Sequence, residues 1–347
     1  MNIVRTFLSI TLIAAVATTA NADDQIFVRG TAKAIRGTIG KMTKDFLEIK
    51  PRSGAAKKIP ADEINRVRFN AEPPELNRTR SAEESGLLDR ALKDYNGVVG
   101  SLKGGAKKDT EFLIARTKCR MAIADPTKVD SALKAMQAAL AKNANGYRHY
   151  ECLVRLGRVQ MANADFGGAK LRFEALGKST MKSHQMAARV ATGQVLLAQD
   201  NPAEAQSNFD AVVGMKAGTE AETASRYEAV LGKARCQQLQ SNFDGAIKSL
   251  EEIVDNTKPE EAAELHARAF LQKGDCYRDQ QKTKQAVMAY LHVDLIYDRA
   301  KGAHAESLFQ LSQLWPQAGH PDRGSEAGSR LKKLYPNNPW TKKLAGG

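Results

Sequence analysis

Few residues of this 347-residue chain are spaced for chemistry. Gly100-Ser101-Leu102-Lys103-Gly104-Gly105-Ala106-Lys107 has the glycine and lysine content of a phosphate-binding loop. Such a loop needs lysine directly after its last glycine and a hydroxyl after that lysine, so that amides, ammonium and hydroxyl converge on one phosphate group and its metal. Here Ala106 intervenes and no hydroxyl follows Lys107, so the stretch reads as a loop between helices. The six histidines, His149, His184, His266, His292, His304 and His320, are scattered. None stands in H-E-x-x-H or beside a cysteine at zinc spacing, so no metal site is expected. His292 and Asp294 lie two apart and would face different sides of a helix. No G-x-S-x-G supplies a nucleophile elbow. Asn77-Arg78-Thr79 matches a glycosylation sequon, but a three-residue pattern arises readily by chance. No catalytic residue and no cofactor are expected, and a binding role is favoured over an enzymatic one.

Cys119, Cys152, Cys236 and Cys276 are even in number, which permits disulfides in an oxidising compartment. No C-x-x-C occurs, and each cysteine falls in an apolar helical stretch. Buried free thiols acting as small apolar side chains are the expectation.

The N-terminus points to export. Arg5 precedes an apolar run from Phe7 to Val16, and Ala20-Asn21-Ala22 gives the A-x-A pattern ahead of Asp23-Asp24. Residues 1–22 therefore read as a signal peptide, cleaved after Ala22. The expectation is a soluble protein of the periplasm or cell envelope. The chain carries 52 Lys/Arg against 39 Asp/Glu, a formal net charge of +13, with the excess densest toward the N-terminus. Such a balance suits acidic partners or an anionic envelope surface.

With 42% hydrophobic and 26% charged residues the composition is that of an ordinary folded protein of about two domains. Residues 23–72 read as a small β unit. Ile26 and Val28, Ile35 to Ile39, Leu47 to Ile49, Lys57 to Pro60 and Ile64 to Phe69 are short alternating pieces divided by turn residues. The order Gly37-Thr38-Ile39, Leu47-Glu48-Ile49, then Ile59-Pro60 and Glu63-Ile64 resembles Sm-like and SH3-like small barrels. That resemblance would allow RNA binding. Only Phe27, Phe46 and Phe69 are present to stack bases, and export argues against it, so no nucleic-acid partner is expected.

From Pro73-Pro74 to the C-terminus, residues 73–347, the sequence repeats itself. Gly157 is followed by Ala169, Phe173 and Leu176. The same offsets give Gly193, Ala205, Phe209 and Val212, and again Gly274, Ala286, Tyr290 and Val293, with Tyr277 between. A last copy runs through Ser312, Trp315, Gly324, Leu331 and Pro336. The anchors Ala91, Ala132, Ala169, Ala205, Ala246, Ala286 and Gly324 are spaced 41, 37, 36, 41, 40 and 38 residues apart. Phe243, Ile247, Leu250, Ile253 and Val254 form one helical face. Asn201-Pro202 is a helix restart.

These features resemble the tetratricopeptide repeat, a helix-turn-helix unit with a G…Y…A…F…P signature and a period of about 34 residues. The departures are the missing first-helix Trp, Ala234 and Ser312 in place of glycine, and a longer period. The resemblance implies a mainly α chain: an α-solenoid of about seven helix pairs after the small all-β unit, stacking to give a concave side. In such arrays the first helix of each pair lines a groove that takes an extended peptide or partner helix. Carried over by position, the groove residues are Arg158, Gln194, Arg235, Asp275, Arg278 and Gln313. The three arginines would suit acidic groups. The expected function is a non-enzymatic protein-interaction scaffold of the periplasm or envelope. The alternative is a carbohydrate or cell-wall-polymer binder working through the basic β unit.

Overall fold

The computed structural model describes residues 23–70 and 72–346. Residues 1–22, read above as a signal peptide, lie outside them. No helix of the described residues is long and apolar enough to cross a membrane.

Five antiparallel strands come first: β1 (Asp24–Val28), β2 (Ile35–Met42), β3 (Phe46–Lys50), β4 (Lys57–Pro60) and β5 (Ile64–Arg68), in the order β4-β3-β2-β1-β5. The two edge strands are consecutive in sequence, joined by the short 3-10 turn Ala61–Glu63. A flat five-stranded sheet would hold its edges about 19 Å apart. Four residue steps span at most about 14 Å, so the sheet must curl toward closure, in a barrel-like manner. Gly37 permits this: a Cβ there would stand 2.2 Å from the Lys50 carbonyl oxygen. Asp24, almost fully buried, ties β1 to its neighbours by accepting from the Ile39 and Asn70 amides, both at 2.8 Å.

Fifteen α-helices follow among the described residues. Seven antiparallel pairs are α1 (Glu75–Glu84) with α2 (Leu88–Val99), α3 (Gly104–Ala124) with α4 (Val129–Lys142), α5 (His149–Ala162) with α6 (Phe166–Gly177), α7 (Lys182–Ala198) with α8 (Pro202–Val213), α9 (Glu220–Leu239) with α10 (Phe243–Asn256), α11 (Ala263–Asp279) with α12 (Thr283–Ile296), and α13 (Lys301–Gln317) with α14 (Pro321–Leu334). A short α15 (Pro339–Gly346) covers the last pair, where Trp340 and Leu344 pack on the final core.

The seven small anchors all occupy the fourth position of a second helix, and all are buried. A small side chain there lets the two helices of a pair approach. The large residue one turn later then fills the space, lying under the glycine of the first helix: Phe173 under Gly157, Phe209 under Gly193 and Tyr290 under Gly274. Where Ala234 replaces that glycine, the partner is the smaller Leu250, in the same buried cluster. Phe209 also meets Gly232 of the next pair, so its ring links two pairs.

The turns inside the pairs repeat as well. Ala164, Asp200, Ser241 and Gln281 have φ between 58° and 60°, and Gly319 takes the same place at 84°. The next amide donates back to the last helical turn, as Asp165 to Gln160 at 2.8 Å and Asn242 to Gln237 at 2.8 Å. Asp165, Asn201 and Asn242 then cap the second helix with their side chains.

The sheet and the solenoid share a core. Ile26, Leu47, Ile49, Val67 and Phe69 pack with Ala106 of α3 and with Tyr147 just before α5. Residues 100–103 form the expected loop between α2 and α3, and the reading is corrected only for Gly104 to Lys107. Gly104 to Lys107 form the first turn of α3, and the glycine at 105 leaves room for the Phe69 ring, which would stand 2.5 Å from a Cβ. All four cysteines are buried and unpaired. Burial pushes their thiols up, to about 11 for Cys236 and about 12 for Cys119 and Cys276.

Candidate functional site

The first helices line the inside of the solenoid. Five successive ones, α3, α5, α7, α9 and α11, meet around one cavity of about 600 Å3. Ile123 and Arg268, 145 positions apart in sequence, both line it, so the solenoid curls around this space. Val154, Met161, Leu176 and Val190 make its walls apolar.

Two of the expected groove residues, Arg158 and Gln194, line this cavity. Arg158 makes no hydrogen bond or ion pair with another described residue. Desolvation lowers its pKa, and neighbouring Arg155 adds to this, while Glu228 and Glu151 pull the other way. The result is a charged guanidinium, exposed on the inner face, with free donors. Across the cavity Arg268 grips Glu228 by two bonds of 2.5 and 2.9 Å.

Arg235, Asp275 and Arg278 gather in a second cluster, farther along the inner face. Asp275 accepts from the Tyr290 hydroxyl at 2.7 Å and from Arg278 at 2.9 Å. Arg278 also holds Asp279 at 3.0 Å, so its charge is internally matched. Arg235 donates to Gln238 at 2.9 Å and has no carboxylate partner among the described residues. Glu306 of α13 belongs to this cluster. Its carboxyl is pushed up to about 7, by burial first and by Asp275 second. Gln313 stands apart, exposed and bonded to Ser312. Of the three arginines expected to meet acidic groups, Arg158 and Arg235 have no carboxylate partner among the described residues, whereas Arg278 holds Asp275 and Asp279.

Position-by-position reading missed Glu151, Glu228 and Arg268. Each lies seven residues, two helical turns, before an expected groove residue: Arg158, Arg235 and Asp275 respectively. Two turns keep a residue on nearly the same helical face, so extending each face toward its N-terminus would have found them.

The β unit forms one wall of the same trough. Arg29, Ala61, Asp62 and Ile64 line a smaller cavity of about 230 Å3 with Tyr150 and Arg155 of α5, Ser183 and His184 of α7, and Ser225 of α9. Ser183 donates to Asp62 across this contact. Val154, Arg158, Ala187 and Ser225 line both cavities, so the two are continuous. The phenyl rings considered for base stacking are occupied: Arg66 covers Phe27 at 4.2 Å, Lys58 covers Phe46 at 4.8 Å, and Phe69 is buried on α3.

A tetratricopeptide repeat protein from Parabacteroides merdae aligns with 78% of this chain and 95% of its own, at 12% identity and a TM-score of 0.54. The chain has a tetratricopeptide-like fold. A Rap protein complexed with competence and sporulation factor aligns with 78% of this chain and 77% of its own, at 14% identity and a TM-score of 0.49. No family model and no curated protein matches the chain.

Proposed function

We propose that this chain is a binding protein that holds an extended segment of a protein partner in its inner trough. One observation carries the reading: five successive first helices converge on a single 600 Å3 cavity that pairs apolar walls with Arg158. Apolar walls reward burial at about 25 cal/mol per Å2. The guanidinium adds directional, charge-assisted bonds to a carboxylate. The fitting occupant is a peptide with an apolar side chain next to an acidic one. Glu228, matched by Arg268, would repel a misplaced acid and so set the register. The process is recognition in a preformed groove, with no bond made or broken. The A-x-A pattern at Ala20-Asn21-Ala22 supports export, and with it partners in the periplasm or cell envelope. The basic excess supports acidic partners or an anionic envelope surface.

Selection from a random peptide library, followed by fluorescence anisotropy on the enriched peptides, tests this. Peptides pairing an apolar with an acidic residue are expected. Arg158→Ala should weaken them by about 10- to 100-fold, the worth of a charged hydrogen bond. Val190→Trp should abolish binding by filling the cavity. Peptides that bind both variants like the native protein would overturn the groove assignment.

A further inference from the structure

We propose that a further, open cavity between β5, α1, α3 and α5, which shares Arg148 and Arg155 with the trough, is a site for a tetrahedral oxyanion of the phosphate class. The space measures about 520 Å3, and six arginines line it: Arg66, Arg80, Arg116, Arg120, Arg148 and Arg155. Glu83 and Glu84 are the acids in its wall.

The internal pairing leaves donors over. Glu83 is fully buried, and its oxygens accept from Arg116 at 2.8 and 2.7 Å and from Tyr95 at 3.0 Å. Glu72 and Asp109 match Arg80 and Arg148, and Glu151 matches Arg155. Arg66 has no carboxylate among the described residues; its guanidinium lies 4.2 Å over the Phe27 ring. Arg120 donates to the Glu83 carbonyl oxygen at 2.6 Å, lies 3.6 Å from the Glu83 carboxylate and stays one-third exposed. Two further donors are buried without an acceptor, Arg80 Nε and Arg155 Nε. The Arg80 side chain is only 2% exposed. A buried N–H with no acceptor costs about 1–3 kcal/mol, and structures rarely leave one unexplained.

An oxyanion in the cavity would meet the open donors of Arg66 and Arg120, while Arg80 Nε and Arg155 Nε are shut off from it. The guanidiniums arrive from four elements in different directions. A carboxylate offers two oxygens in one plane, whereas a tetrahedral anion offers oxygens in every direction. Arg66 comes from the β unit and the other five from the solenoid or its approach to α5, so the bound anion would also fasten one to the other.

The test is calorimetric titration of the full chain with inorganic phosphate and pyrophosphate, at ionic strength held constant with chloride. The comparison is Arg66→Gln/Arg120→Gln, which keeps the Arg80–Glu72, Arg116–Glu83, Arg148–Asp109 and Arg155–Glu151 pairs and gives up only the contacts of Arg120 with Glu83; circular dichroism checks its fold. Saturable binding, a ligand-dependent rise in melting temperature, and at least tenfold weaker binding by the double variant are expected. Free phosphate and a lipid phosphate share this chemistry. Sedimentation with phosphatidate vesicles, competed by pyrophosphate and lost in the double variant, would assign the lipid source; no sedimentation alongside saturable titration would assign the free anion. Heats that do not saturate, equal binding by native and variant chains, or tighter binding of citrate than of pyrophosphate would overturn the proposal.

Discussion

If each pair is held at a fixed spacing by a small residue facing a large one, the two partners must be exchangeable only together. The α5–α6 pair tests this. A Cβ at Gly157 would stand 2.5 and 2.6 Å from two carbons of the Phe173 ring. Carbon atoms rest at about 3.5–4.0 Å, so the ring would have to retreat by about 1 Å. Phe173 is buried against Ala169 and Val195 and has nowhere to go. Overpacking of this kind costs about 1–3 kcal/mol, and replacing a mid-helix glycine by alanine returns about 1 kcal/mol. Gly157→Ala should therefore lose up to about 2 kcal/mol. Phe173→Leu alone leaves a void and should lose a similar amount. The double variant recreates the Ala234/Leu250 combination that the chain itself uses in the α9–α10 pair. It should be more stable than the sum of the singles by about 1–2 kcal/mol. Urea unfolding of all four proteins, followed by circular dichroism, gives the coupling. A coupling within about 0.5 kcal/mol of zero would refute the reasoning.

The intra-pair turns hold non-glycine residues at left-handed φ, so Ala164→Gly and Gln281→Gly should each raise stability by about 0.5–1 kcal/mol in urea unfolding. Glu306 binds its proton more tightly folded, at about 7, than a free glutamate at about 4.3, so its contribution to stability falls as pH rises from 4.3 to 7. Melting temperatures from pH 4 to 8 should show that fall in the native protein, and Glu306→Gln should flatten it and be the more stable form at pH 8. The cysteines are buried with raised thiol pKa values, so a thiol reagent should find none in the native protein and four after unfolding without reductant. Fewer than four would show a disulfide.

The repeat was legible because it is a packing rule written in residue sizes. A small anchor at the fourth position and a ring one turn later recur at fixed offsets, whatever the lengths of the loops between. Arg158 and Gln194 were legible for the same reason, since position within a first helix fixes which face points inward. Glu228 and Arg268 lie nearer the N-terminal ends of their helices than the positions the repeat pattern marks, Arg235 on α9 and Asp275 and Arg278 on α11. A solenoid that curls around its cavity exposes different levels of successive helices to it. The seat of the β unit left no local signal. Gly105, Phe69, Asp62 and Ser183 lie in four separate stretches, and what joins them is contact alone. Gly104-Gly105 looked like a loop because glycine has two uses, turning the chain and letting another group come close; at Gly105 the second applies.

That seat alters what the β unit can be. As a free second contact module it would need an open face and its own core. Its core instead includes Ala106 and Tyr147 of the solenoid, and its phenyl rings carry cations or are buried. Its Arg29, Asp62 and Ile64 line the trough that runs past Arg158. A partner threading the inner face must therefore pass the β unit, which limits the length and thickness of what fits. The unit also lies against α3, α5, α7 and α9, the helices whose mutual angles set the curl. Helix pairs that touch only their neighbours make a springy array. Contacts of the β unit with α3, with the approach to α5 and with α7 tie the third and fourth pairs to the second, and so restrain the width of the cavity on that side.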